Sequence, residues 1–167
     1  RNKVQFPVAQ QNGRAVAGFY RARTHEVIPA DGCRLQPDCA ERLKKAVTDW
    51  MRENRIPAYD EKTHTGCVRH IYLRLGFVSG QALCCVVLNA KKTPQPAALV
   101  DAILREVPQT AGIVVSYNEK RGNTILGDRF ETLYGSDTIE DTLCGLRFRL
   151  SARSFYQVNH DQAERLD

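Results

Sequence analysis

A glutamine side chain carries a hydrogen-bond donor and an acceptor side by side, and Gln157 sits two residues after Phe155 in the run Ser151-Ala-Arg-Ser-Phe155-Tyr-Gln157-Val-Asn159. Such an amide can read the edge of a pyrimidine, and a nearby aromatic ring can stack on a base or wedge beside it. The same residues support a plainer reading. Ser154 fits a helix N-cap with Gln157 three positions on, as in a capping box, and Phe155, Val158, Ala163 and Leu166 fall roughly on one helical stripe. Spacing leaves both readings open.

Catalytic groups are harder to nominate. The four histidines, His25, His64, His70 and His160, are scattered, and no cysteine stands in a recognisable nucleophile setting. Cys33, Cys39, Cys67, Cys84, Cys85 and Cys144 form no CxxC pair and show no zinc-type spacing. Glycine-rich phosphate loops of the dinucleotide or nucleoside-triphosphate type are missing from the sequence. What remains is a basic, aromatic-flanked patch, Arg21, Arg23 and His25 following Gly18-Phe19-Tyr20. It reads as a solvated hairpin edge or as a set of phosphate contacts. The net charge of +5 permits a polyanion partner without demanding one.

The elements that must position these residues follow from periodicity. Val4, Phe6 and Val8 alternate with polar neighbours as a strand does, Gln10-Gln-Asn-Gly13 supplies a turn, and Ala15 to Tyr20 returns as the second arm of a hairpin. Ile28 to Gly32 reads as loop, and Asp38 can cap a helix over 39–53 striped by Leu43, Ala46, Val47, Trp50 and Met51. Lys44, Lys45 and Arg52 are expected on the wet face of that helix. Val68 to Phe77 alternates, with Arg69 and Arg74 among its polar residues, and Ala82 to Asn89 is apolar throughout, as in a strand covered on both faces. A helix over 96–107 follows, striped by Leu99, Val100, Ile103 and Leu104, with proline at its first turn. Further strands are expected at 111–117, 124–126, 130–134, 138–142 and 146–151. The order predicts an α+β fold with a largely antiparallel sheet and two main helices. The longest apolar run, Ala82 to Leu88, is far short of a membrane span, and a cytoplasmic protein without a membrane partner is expected. On the residues alone this is a basic α+β domain with no catalytic centre of its own.

Several stretches resemble the central part of the RNA (uracil-5-)-methyltransferases: Arg1-Asn-Lys-Val-Gln-Phe-Pro-Val8, Ala17-Gly-Phe-Tyr20, Thr24-His-Glu-Val-Ile28, Cys33-Arg-Leu-Gln36, Thr63-His-Thr-Gly-Cys-Val-Arg-His70, Asn123-Thr-Ile-Leu-Gly127 and Ser151 through Leu166. The Ser154-Phe-Tyr-Gln-Val-Asn159 motif is the most specific of them, and the bacterial 23S rRNA branch is the most similar. The resemblance implies that residues 1–150 are a central RNA-facing domain and that residues 151–167 begin a Rossmann-like, S-adenosylmethionine-dependent domain cut short at Asp167. In that family a cysteine thiolate attacks C6 of a flipped-out uracil, C5 takes the methyl group, and a base removes the C5 proton. The resemblance puts the nucleophile and base beyond this chain. It assigns Gln157 and Phe155 to the cofactor or target base, and Cys33 to one ligand position of a 4Fe-4S cluster whose other ligands would lie upstream. It also makes Lys3, Arg21, Arg23, Arg69, His70 and Arg74 expected RNA contacts. The alternative is a free-standing RNA-binding or scaffolding module without catalysis.

Overall fold

The computed structural model describes residues 3–30, 32 and 36–152, the side chain of Leu143 excepted. The helix expected over 154–166, with Phe155 and Gln157, lies outside the described residues, and so does Cys33.

The chain opens with a hairpin, β1 (Lys3–Gln11) and β2 (Arg14–Tyr20), paired from Val8 opposite Ala17 to Gln11 opposite Arg14. Asn12 and Gly13 make its turn with φ of 51° and 77°, the left-handed pair that suits the twist of a two-residue hairpin. The segment read as loop contains a third strand, β3 (Val27–Pro29), paired antiparallel with the end of β2. Gly18 makes that pairing possible, because a Cβ there would stand 1.8 Å from the carbonyl oxygen of Ile28. Pro29 is tolerated since β3 is an edge strand.

Helix α1 (Asp38–Glu53) places Asp38 inside the first turn, with Pro37 at the N-cap and no side-chain cap bond. Asp38 therefore contributes through the helix dipole, where the sequence suggested a cap. The expected stripe is buried in full: Leu43, Ala46, Val47, Trp50 and Met51 are each 1% exposed or less. Burying a leucine or methionine this completely contributes about 1.5–3 kcal/mol relative to leaving it in water. Lys44 departs from its expected wet face. It is buried, donates to the Ala30 carbonyl, pairs with Glu41 at 3.1 Å, and lies 5.0 Å from the Phe6 ring centre.

β4 (Val68–Leu75) and β5 (Ala82–Leu88) form an antiparallel pair. Helix α2 (Pro96–Glu106) then crosses over to β6 (Thr110–Tyr117), which runs parallel to β5. β7 (Arg129–Gly135) closes the sheet, whose order is β3-β2-β1-β4-β5-β6-β7. The stretch 124–126, expected as a strand, is irregular; its carbonyls are taken by the Asn118 side chain instead of a ladder.

The residues of α1 and α2 share one core with Val4, Phe6, Ile71, Leu73, Cys84 and Val86, which fixes the helical face of the sheet. The opposite face is partly covered by a second hairpin, β8 (Thr138–Leu143) with β9 (Leu146–Ser151), whose Ile139 and Leu150 pack on Leu83 and Val114. Buried Asp141 ties that hairpin to the β4–β5 turn by accepting the N–H groups of Phe77 and Val78, both at 3.0 Å. The sheet is thus α+β and mostly antiparallel, as the element order predicted.

Candidate functional site

Strand β4 does not alternate from end to end. Between Val68 and His70 its register against β5 shifts, so Arg69 is an extra residue in a β-bulge. Such a bulge re-aims side chains. Beyond it, His70 pairs with Pro7, Tyr72 with Gln5 and Arg74 with Lys3, so these six residues share the face of the sheet away from the helices. Arg69 swings toward the loop after β6. Its Nη1 donates to the carbonyls of Asn118 at 2.9 Å and Lys120 at 2.6 Å, and Nη2 reaches Gly122 at 3.4 Å. Its guanidinium carbon stands 4.1 Å from the centre of the Tyr59 ring.

This clamp forms the floor of a cleft of about 800 Å³, walled by the end of β1, the β2–β3 turn, the 58–62 loop and residues 122–125. Tyr20 and His25 stack on its rim, with ring centres 4.9 Å apart and planes 24° from parallel. Arg21, Lys62 and Arg69 line the cleft together with Glu26, Asp60 and Glu61, so its fixed charges cancel. Arg21 is paired with Glu26 at 3.2 Å and His25 with Glu61 at 2.7 Å. His70 is different. Burial, assisted by the neighbouring Arg69 charge, holds its imidazole down at about 4, so it is neutral near pH 7.

The structure therefore gathers Arg21, Arg69 and His70 into one cleft and leaves the other expected RNA contacts elsewhere. Arg23 sits on the exposed β2–β3 turn. Lys3 lies 5.6 Å from the Tyr72 ring centre, farther along the same sheet face. Arg74 is only 1% exposed, and its Nε and Nη1 have no hydrogen-bond partner. Arg69 is also buried, at 5% exposure. Neither arginine offers an open surface cation for contact with a phosphate. A buried guanidinium with two unpartnered nitrogens is costly, so Arg74→Met should raise the unfolding free energy by about 1–2 kcal/mol in chemical denaturation. A loss of stability instead would show that Arg74 is satisfied in solution.

Metal ligation finds no support among the described residues, where no group of three His, Cys, Asp or Glu side chains converges. The described cysteines do not fit a cluster-binding set. Cys84 and Cys85 point to opposite faces of the sheet, and burial pushes both thiols up to about 12.

No family model matches the chain. Proteins named uncharacterized RNA methyltransferases do. One from Clostridium acetobutylicum is 40% identical over 166 residues, which is 99% of this chain and 36% of that protein. Another from Halalkalibacterium halodurans is 37% identical, over 98% of the chain and 36% of its own length. A third, from Streptococcus mutans, is 38% identical over 99% of the chain. The chain is similar to these RNA methyltransferases along nearly its whole length. It spans little more than a third of their length, 36% in the first two. The fold agrees with that of the Pyrococcus abyssi tRNA (uracil-54, C5)-methyltransferase, solved in complex with S-adenosyl-L-homocysteine, with a TM-score of 0.79. That match covers 99% of this chain and 39% of the other, at 20% identity.

The sequence reading missed Tyr59 and the 118–127 loop as partners of Arg69. A signal was present. Arg69-His70 places two polar residues in succession inside an alternating strand, which is the pattern a bulge leaves.

Proposed function

We propose that the chain is the RNA-facing segment of an S-adenosylmethionine-dependent RNA (uracil-5-)-methyltransferase that forms 5-methyluridine in 23S rRNA. The observation that carries this reading is similarity to RNA methyltransferases along nearly the whole chain, 99% of it in one relative. The fold shared with a tRNA uracil-C5 methyltransferase supports uracil as the base and S-adenosylmethionine as the methyl source. In this reading residues 1–150 form the domain that faces RNA, and residues 151–167 begin the methyltransferase domain. Phe155 and Gln157 meet the target base or cofactor, and Cys33 supplies one ligand of a 4Fe-4S cluster completed from upstream. The nucleophilic cysteine and the base that removes the C5 proton belong to the following domain. The protein acts in the cytoplasm, where ribosomal RNA is found.

Mass spectrometry of nucleosides from 23S rRNA tests this. Cells lacking the complete gene should lose 5-methyluridine there, and the wild-type gene should restore it. Gln157→Ala should restore methylation at a rate at least tenfold lower, a loss of about 1.4 kcal/mol in transition-state stabilisation, with the amount of folded protein unchanged. Loss of 5-methyluridine from tRNA instead would overturn the ribosomal assignment. Unchanged modification in both RNAs would overturn the function.

A further inference from the structure

We propose that the cleft beneath the β2–β3 turn binds one unpaired base of an RNA strand, with Arg69 and His70 meeting the base edge and the Tyr20–His25 stack forming a wall. The inference rests on the RNA-facing reading above and adds to it where, and through which chemistry, the segment would distinguish a base from a backbone.

Two polar atoms carry it. Arg69 Nε and His70 Nδ1 are shielded from water and have no hydrogen-bond partner, although nearly all such buried groups in folded proteins have one. They belong to consecutive residues at the bulge, and both residues line the cleft. Arg69 Nε–H is a donor, and a neutral imidazole offers a donor or an acceptor at Nδ1 according to its tautomer. A donor and a donor-or-acceptor on consecutive residues are the kinds of group with which the edge of a nucleobase pairs.

The charge pattern argues against a phosphate in the same place. Three acids balance three bases around the cleft, the Arg69 Nη atoms are already taken by carbonyls, and Arg21 and His25 are paired with Glu26 and Glu61. A neutral, planar ligand needs no net charge from the cleft. The stacked rings of Tyr20 and His25 are a surface of the type on which single-stranded bases are held, and Tyr20 is 42% exposed. A volume of about 800 Å³ leaves room for a base and its sugar.

Fluorescence anisotropy with a short, labelled single-stranded oligoribonucleotide, and with an abasic strand of equal length and charge, tests the assignment on the full chain. The wild type should bind the base-bearing strand about tenfold more tightly, because a base stacked on an aromatic side chain strengthens binding to that order. Tyr20→Ala and His70→Gln should each bring that preference down to about twofold while leaving the salt dependence of binding unchanged, because the phosphate contacts are made elsewhere. Tyr20 is a surface residue, so its variant keeps the test valid if His70→Gln perturbs folding. Equal wild-type affinity for the two strands would overturn the base site and leave the RNA-facing reading intact. A preference that survives both substitutions would likewise overturn it, by placing base recognition elsewhere. Absence of binding to either strand would overturn the RNA-facing reading and the base site with it.

Discussion

Arg69→Leu should lower the unfolding free energy of this chain by about 2–3 kcal/mol, since a buried carbonyl that loses a charged donor costs about 1–3 kcal/mol and the two partly exposed ones recover part of their loss by hydration. Three carbonyls depend on the one guanidinium, those of Asn118, Lys120 and Gly122. A leucine satisfies none of them and also loses the stacking on Tyr59, where the guanidinium carbon lies 4.1 Å from the ring centre. Urea denaturation measures the effect. Arg69→Lys should recover little of it, because an ammonium group is a point donor and cannot reproduce a planar fork that spans separate carbonyls. Full recovery with lysine would sink the clamp as the explanation and leave charge alone. The contrast with Arg74 is instructive. Both arginines are buried on β4, yet substitution is expected to destabilise at one and stabilise at the other. The sign follows from what each change leaves behind or removes: carbonyls without a donor at Arg69, where only Nε was unpartnered, and two unpartnered nitrogens removed at Arg74.

That difference marks the limit of what the residues alone disclosed. Periodicity placed α1 and its stripe, α2, and the strands from β4 to β6, because each of these elements buries a continuous apolar face that repeats along the chain. It did not find β3, which is three residues long, contains a proline, and exists because Gly18 lets its backbone come close. The resemblance made Arg69, His70 and Arg74 on β4 expected RNA contacts, and it carried no information on how deeply the fold buries them. A loop far along the chain covers Arg69, and Arg74 lies on a sheet face that is also buried. Burial by remote segments has no local signature. The family resemblance was legible through motifs such as Thr63 to His70, but no motif could disclose that two of its residues, Arg69 and His70, meet Tyr20 and His25 across a cleft.

His70 should also make the stability of the chain depend on pH in a predictable window. Its imidazole titrates at about 4 in the folded protein and at about 6.5 when unfolded, chiefly because burial disfavours the charged form and secondly because Arg69 repels it. The unfolded chain therefore binds a proton that the native state rejects. Stability from this group is complete above pH 6.5 and falls as the pH drops toward 4. The full loss is about 3 kcal/mol, from roughly 1.4 kcal/mol for each unit of difference. Unfolding curves for the wild type and for His70→Leu, taken at intervals between pH 4 and 8, isolate the contribution, since other titrating groups cancel in the difference. The wild type should lose its advantage over the variant steadily as the solution is acidified. A difference that stays flat across the range would mean that the imidazole is hydrated in solution, and the cleft would then lack a neutral, desolvated histidine. The same measurement bears on function, because a side chain that is uncharged at neutral pH can read a base but adds nothing to the attraction of a phosphate.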